Sequence, residues 1–412
     1  MRLLVVGHPL TIAWNQRKYV EMKRVEPGLR LRVVVPKQIH DTFSTYRWEA
    51  HPELGPGEVN PLASAFSRSH MTLILNPVGL GKVLHDFWPD VIHIEEEPHA
   101  MMAVWTIGLR VAICPQAAVT LFTWDNLHRR HRFPLGALKN KLRCYSLRRT
   151  AAVVCGNCDA ERLLRKNDGY RGVTTVLPQF GLDPGDHTPG CEPALKARLG
   201  LGEAIVVGYV GRLVPEKGLE LLLEALASLA EIPWKLILVG EGSLRARIHD
   251  HWMPRLPGRI VHVPAVPHAQ VPGYLRCLDI FVLASYKTPR WKEQFGLTLA
   301  QAMMLGLPSI ASSSGAIPEV AGPGALIFEE GNLESLRQAL RTMLRAEPWR
   351  RELGAKAREF ALRHYTLQEI AASYLRVFEK ASAVCTATPR ASTPDRAMGP
   401  CREEGAARAE KV

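Results

Sequence analysis

Short β-branched runs alternate with helical patterns along most of this chain, and no other feature constrains its fold as tightly. Strands separated by helices pair in parallel, because a parallel pair needs a long crossover, and the crossover helices then cover the sheet faces. In the first half, the runs at 3–6, 31–35, 91–94, 118–122, 152–154 and 174–177 read as strands. A second series begins at 205–209 and continues at 235–239, 260–263, 280–283, 309–311 and 326–328. Between the series, residues 180–190 read FGLDPGDHTPG, rich in Gly, Pro and Asp and without periodicity, which marks a linker. The expectation is an α/β protein of two doubly wound domains, 1–185 and 195–365. Three helical stretches follow residue 331, and from 385 to 412 there is no Leu, Ile or aromatic residue, so that tail is expected to be disordered.

The 412 residues suffice for two sizeable cores, and 47% apolar against 22% charged residues is a globular composition. Basic residues exceed acidic ones by 12, a field that attracts nucleotide phosphates, acidic headgroups or nucleic acid. Eight cysteines are too sparse for a disulfide scaffold, which fits a reducing, cytoplasmic setting. Cys155 and Cys158 lack a second pair at zinc-like spacing and read as structural. The apolar stretch after Met1 is too short for a signal-peptide core and reads as the first strand. The most apolar region, 100–122, is interrupted by Arg110, Pro115 and Gln116, so no membrane span is expected. A soluble protein, or one peripheral on the inner face of a membrane, follows.

Ligands of open parallel sheets bind at the carboxyl ends of strands. The strand 205–209 leads into Gly211-Arg212-Leu213-Val214-Pro215-Glu216-Lys217-Gly218 and then a leucine-rich helix. Two cations and a helix amino terminus suit a diphosphate, and solvated loop charges are the plainer alternative. A Walker loop is excluded because Lys217 precedes Gly218-Leu219 rather than Ser or Thr. Gly79-Leu80-Gly81 and Gly240-Glu241-Gly242 both lack the third glycine of a dinucleotide fingerprint. Further on, Glu293-Gln294-Phe295-Gly296-Leu297-Thr298 enters a helix that stops at Gly306, with Gln301 eight residues after Glu293. Glu293 beside free helix-start amides can orient sugar hydroxyls, or the segment is an ordinary capped helix start.

The turn at 211–218, the loop Val239-Gly240-Glu241-Gly242, the segment from Glu293 to Pro308 and Ser314-Gly315-Ala316-Ile317-Pro318-Glu319-Val320 together resemble family 4 retaining glycosyltransferases of the GT-B fold. Trp124-Asp125-Asn126-Leu127 and Gly156-Asn157-Cys158-Asp159-Ala160 resemble first-domain segments of a bacterial subgroup. The resemblance implies two Rossmann-like domains facing across a cleft, with a helix at 366–384 crossing back to the first. It implies a UDP- or GDP-linked sugar donor on the second domain and a glycan, lipid-linked or small-molecule acceptor on the first. Arg212, Lys217 and Glu293 would be catalytic: the cations on the diphosphate, the carboxylate on the transferred sugar. Gly211, Gly240, Gly242, Phe295, Gly296, Leu297, Thr298 and Gln301 would line the donor. The family has a second glutamate where this chain has Gln301, an amide that can still donate to and accept from a ribose diol. A degenerate, non-catalytic nucleotide-sugar-binding subunit is the alternative. No Asp-x-Asp occurs, so neither a metal nor another cofactor is expected.

In the first domain His8 stands where many relatives carry a second glycine. His93 lies in a strand that ends at Glu95, Glu96 and Glu97. Glu96 or Glu97 could activate an acceptor hydroxyl, and three solvated surface acids are the alternative. Trp124, in place of a histidine common in relatives, could stack on a sugar or lie under the cleft, and Asp125 and Asn126 are further acceptor-side candidates. Residues 128–149 carry eight Arg or Lys and no acid, with Leu135, Leu138, Leu142 and Tyr145 at helical spacing. That pattern reads as a basic amphipathic helix, either lying on an anionic membrane or packed on the first sheet with solvated arginines. No aromatic platform accompanies the basic residues, so nucleic acid is not an expected partner.

Overall fold

The computed structural model describes residues 1–40, 45–127 and 135–387. It divides into two units: Met1–Gln179 with the chain from Ala371 onward, and Phe180–Ile370. The first unit is built on seven strands, β1 (Arg2–Val6), β2 (Arg30–Pro36), β3 (Val59–Leu62), β4 (Val91–Ile94), β5 (Ala118–Thr123), β6 (Ala152–Cys155) and β7 (Val173–Val176). They lie in the order β7-β6-β5-β4-β1-β2-β3, every pair parallel. Leu3, Leu4, Val5 and Val6 are all fully enclosed, because a central strand with helices on both faces buries its side chains in both directions. Strand β3 is absent from the sequence reading. Its run Val-Asn-Pro-Leu looks like a turn, but Pro61 has no amide hydrogen to pair and is tolerated on an edge strand.

The second unit holds β8 (Ile205–Val210), β9 (Trp234–Val239), β10 (Ile260–Val263), β11 (Ile280–Leu283), β12 (Ser309–Ser312) and β13 (Ala325–Phe328). Their order is β10-β9-β8-β11-β12-β13, again all parallel. In both sheets the first strand has neighbours wound in opposite directions: β1 sits between β4 and β2, β8 between β11 and β9. The crossover helices leave these junctions on opposite faces, so a crevice opens at the strand ends there.

Two expectations need correction. Residues 180–190 are not a free linker: Leu182 bridges Thr366, its amide donates to Tyr365 O at 2.7 Å, and His187 is buried. Prolines and glycines here serve a chain pressed onto the second unit rather than a solvated tether. The last helix, Leu367–Ala387, also runs past residue 385, where the disordered tail was expected to begin; residues 388–412 lie outside the described residues. From Ala371 this helix belongs to the first unit, with Tyr374 and Phe378 packed against His93.

Candidate functional site

The turn after β8 is shaped by glycines. Gly218 has φ +68°, and a Cβ there would lie 2.0 Å from Ala284 O, so only glycine lets the turn close before the helix Leu219–Ala227. Just before it, a short 3₁₀ turn, Pro215–Lys217, directs Lys217 over the Trp291 ring (4.6 Å) onto Glu293 Oε2 at 2.6 Å. The same oxygen accepts a hydrogen bond from Ser285 Oγ at 2.8 Å, just beyond β11. Ala316 N, after β12, donates to Glu293 O at 3.2 Å, and Gly315 (φ +58°) permits the approach because a Cβ would come within 2.4 Å of that oxygen. Glu293, only 6% exposed, is thus held from the ends of three neighbouring strands, β8, β11 and β12.

Arg212 is exposed, and its guanidinium makes no hydrogen bond or ion pair among the described residues. Its carbonyl accepts from the buried Tyr209 hydroxyl at 2.9 Å, which fixes the backbone and leaves the side chain to solvent. Gly211, Gly240 and Gly242 have a packing reason to be glycine. A Cβ on Gly240 would lie 1.9 Å from Gly211 O, and one on Gly242 2.2 Å from Leu213 O, so the loop after β9 could not rest on the turn after β8.

Gly296 (φ +82°) precedes the helix Leu297–Met304 and offers no side chain to cap it. The amides of Leu297 and Thr298 therefore open the helix with no acceptor among the described residues. The Phe295 ring meets the edge of Tyr365, centroids 5.6 Å apart. Gln301 is 2% exposed, and its Nε2 lies 3.4 Å from His187 Nε2. Lys217 and Glu293 are therefore brought together directly, and Gln301 is instead joined to a histidine that the sequence reading passed over. Ser285 and Trp291 were likewise missed, although both lie beyond the strand 280–283.

In the first unit the ends of β1, β4 and β5 gather most of the acceptor-side candidates. His8, after β1, donates its backbone N–H to Glu96 Oε1 and places Nδ1 on the same oxygen, both at 2.7 Å. Burial pulls the His8 pKa down, but the Glu96 carboxylate and its hydrogen bond outweigh that and raise it. Glu97 accepts from Thr123 Oγ1 at 2.6 Å and Trp124 N at 2.8 Å. Burial and then the charge of Asp125 push its carboxyl up to about 7. Asp125 pairs with Arg143 at 3.1 Å, and Arg143 also grips Asp168 at 2.6 Å. Asn126 is buried at the same loop. Ligand atoms of Glu97, His99 and Asp125 lie within 4.8 Å of one another, but the Arg143 guanidinium already supplies positive charge there.

Several first-unit expectations are overturned. His93 is no acceptor ligand: it is fully enclosed, bonded to Thr120 Oγ1 at 2.8 Å and held neutral by burial, which takes its pKa to about 3. The three acids are not solvated surface charges. Glu95 is sealed in a network with Lys18 Nζ (2.7 Å), the Tyr19 hydroxyl and Gln179 Nε2 (2.9 Å), while Lys18 also lies 3.9 Å over the Tyr374 ring. Trp124 is wedged against Gly156, where a Cβ would meet its ring at 2.0 Å, and its Nε1–H donates to Gln179 at 2.8 Å. The basic segment differs too. Residues 128–134 lie outside the described residues, and the helix Leu135–Leu147 buries Arg143, Ser146 and Leu147 while leaving Leu138 54% exposed. Of the expected stripe Tyr145 packs against the first unit's core and Leu138 points outward, while Arg143, paired to two aspartates, joins the buried face. Among the described residues no helix is long and apolar enough to cross a membrane.

Two parallel-sheet Rossmann-like units define a GT-B protein, and solved structures agree on that fold. HepE from Anabaena in complex with UDP superposes with a TM-score of 0.70 at 16% identity, covering 92% of this chain and all of that one. Sucrose-phosphate synthase from Thermosynechococcus elongatus gives 0.64 at 20% identity, over 93% of this chain and all of that one. Residues 193–360 match the family described as glycosyl transferases group 1. A D-inositol 3-phosphate glycosyltransferase of Stackebrandtia nassauensis is 28% identical over 59% of this chain and 56% of its own length. Spore coat protein SA of Bacillus subtilis is 27% identical over 45% of this chain and 52% of its own. The alignments span about half the length of these curated relatives.

Proposed function

We propose that the protein is a retaining glycosyltransferase that moves a sugar from a nucleoside-diphosphate donor, UDP- or GDP-linked, to a glycan, lipid-linked or small-molecule acceptor in cell-surface glycoconjugate synthesis. The observation that carries this reading is the meeting of Lys217 with Glu293 across 76 residues of sequence at the junction of β8 and β11. A cation and a carboxylate at such a crevice match the two ends of a sugar diphosphate. Arg212 and Lys217 would take the phosphates, Leu297 and Thr298 would add their amides, and Glu293 would turn from Lys217 to a sugar hydroxyl. As the bond between the anomeric carbon and the phosphate oxygen breaks, its electron pair leaves on the diphosphate, and fixed cations lower the cost of that charge without metal. The acceptor hydroxyl attacks from the same face, its oxygen bonding the anomeric carbon while its proton passes to the departing diphosphate oxygen.

His8, Glu96, Glu97 and Asp125 on the first unit are the groups proposed to receive the acceptor's hydroxyls. HepE, solved in complex with UDP, supports a nucleotide donor by fold likeness. An anionic membrane surface beside the basic helix belongs to the same proposal, with the exposed Lys141 as a contact and Arg143 excluded by its internal pairing. The test is to incubate the protein with a panel of nucleotide sugars and follow donor hydrolysis and transfer. Loss of turnover in Lys217→Ala and Glu293→Ala is expected, and equal activity in both variants would sink the site assignment. Nucleotide binding with no product under any acceptor would favour the non-catalytic subunit instead.

A further inference from the structure

His187 and Gln301 lie 114 residues apart, both almost fully enclosed, and their side chains meet at 3.4 Å in the second unit. The bond pattern dictates how each is oriented. His187 Nδ1 lies 2.8 Å from the carbonyl oxygen of Asp183, which can only accept, so Nδ1 carries the proton. In the neutral ring Nε2 is then a lone pair, and the Gln301 atom facing it has to be the donating nitrogen. That leaves the carbonyl oxygen of Gln301 turned the other way, with no partner among the described residues. An acceptor held in a fixed direction in this way is available to a ligand hydroxyl.

His187 is itself tied down. Arg358 donates to His187 O at 3.1 Å and also to Met304 O, at the far end of the helix that carries Gln301. His268 also faces the ring, its own pKa lowered by burial and then by His187. We propose that His187 is a positioning residue of the nucleoside site, holding Gln301 so that its carbonyl, not its NH₂, is presented to the vicinal diol of a ribose. This rests on the donor-site reading above and adds to it the reason an amide works where a carboxylate would not. A carboxylate at 301 would set an acceptor against the Nε2 lone pair, which only a protonated imidazole could relieve. Glutamine at 301 and an imidazole at 187 whose Nε2 accepts are a matched pair.

The test is calorimetric binding of UDP and GDP and of their 2′,3′-dideoxy analogues to the full chain. The wild type should prefer the ribose form about tenfold, the worth of one or two hydrogen bonds. His187→Ala should bring that ratio close to one with affinity for the dideoxy compound unchanged, and His187→Gln, which keeps an acceptor near Nε2, should restore part of it. An unchanged ratio in His187→Ala overturns the proposal while leaving the donor site standing. A wild type that binds neither diphosphate overturns the donor reading and the proposal together. Should His187→Ala fail to fold, nitrogen chemical shifts of the wild-type ring decide: a protonated Nε2 in the neutral ring overturns the proposal, and an unprotonated one supports it.

Discussion

In the unliganded chain Lys217 and Glu293 mask each other, and this leads to a prediction in which binding and turnover move in opposite directions. At 2.6 Å and an effective dielectric of about 20, their gross attraction is about 6 kcal/mol. The side chains are 13% and 8% exposed, so desolvation offsets most of that, and the net worth is that of a charged hydrogen bond, about 1.5–3 kcal/mol. A diphosphate that recruits Lys217 has to compete with this pair. Glu293→Gln keeps the size of the side chain and an acceptor for Ser285 but removes the competing charge. UDP or GDP should then bind more tightly, by about tenfold if half of the pair's worth is released. Sugar transfer should fall at least about a hundredfold, because the group proposed to hold the sugar has lost its charge. Lys217→Met should weaken diphosphate binding by about tenfold or more. Calorimetry with each diphosphate and a product assay with the matching nucleotide sugar read both effects. If the two variants weaken diphosphate binding alike, Lys217 is no phosphate ligand and the pair merely braces the loop.

Glu95→Gln and Lys18→Met should each cost the first unit about 3–5 kcal/mol, since either strands a buried charge, whereas the double variant should recover most of it; additive losses in denaturant unfolding would refute the coupling. Gly240→Ala should lower the melting temperature markedly and abolish nucleotide protection, because its Cβ would lie 1.9 Å from Gly211 O; normal stability would show that the two loops can part without harm. Glu97 has its pKa raised from 4.5 to about 7, so its contribution to stability is full below 4.5 and is lost as pH rises through 7. Glu97→Gln should therefore melt higher than the wild type at pH 8 and alike at pH 4, a difference that thermal melts at the two pH values detect.

The twelve strands expected from β-branched runs all form, and the central ones, enclosed on both faces, have few sequences open to them. What escaped was decided by partners distant in sequence. Three adjacent glutamates look like a solvated loop until Lys18, Tyr19 and Gln179 are brought to Glu95, and His8 to Glu96. Arg143 reads as one more cation of a basic helix, yet Asp125 and Asp168 draw it inward and leave Leu138 outside. In the second unit the glycines and charges of the turn were legible because a tight turn advertises itself locally. The His187 partner of Gln301 was not, because it sits in a Gly- and Pro-rich stretch that resembles a tether.

The two strand-end sites differ in charge in a way that bears on the proposed reaction. The turn after β8 and the helix start at Leu297 offer an exposed guanidinium, an ammonium and open amides, groups suited to phosphate oxygens. At the ends of β1, β4 and β5 there are instead Glu96 paired with His8, Asp125 paired with Arg143, and Glu97, whose carboxyl burial and Asp125 push up to about 7. Carboxylates balanced in this way accept hydrogen bonds without repelling a neutral ligand, and hydroxyl groups are the donors they best receive. An excess of 12 positive charges over the whole chain would have suggested anions at both sites. Its distribution puts exposed cations and open amides on the second unit and balanced carboxylates on the first, the division that the proposed transfer of a sugar from a nucleotide to a hydroxyl acceptor requires.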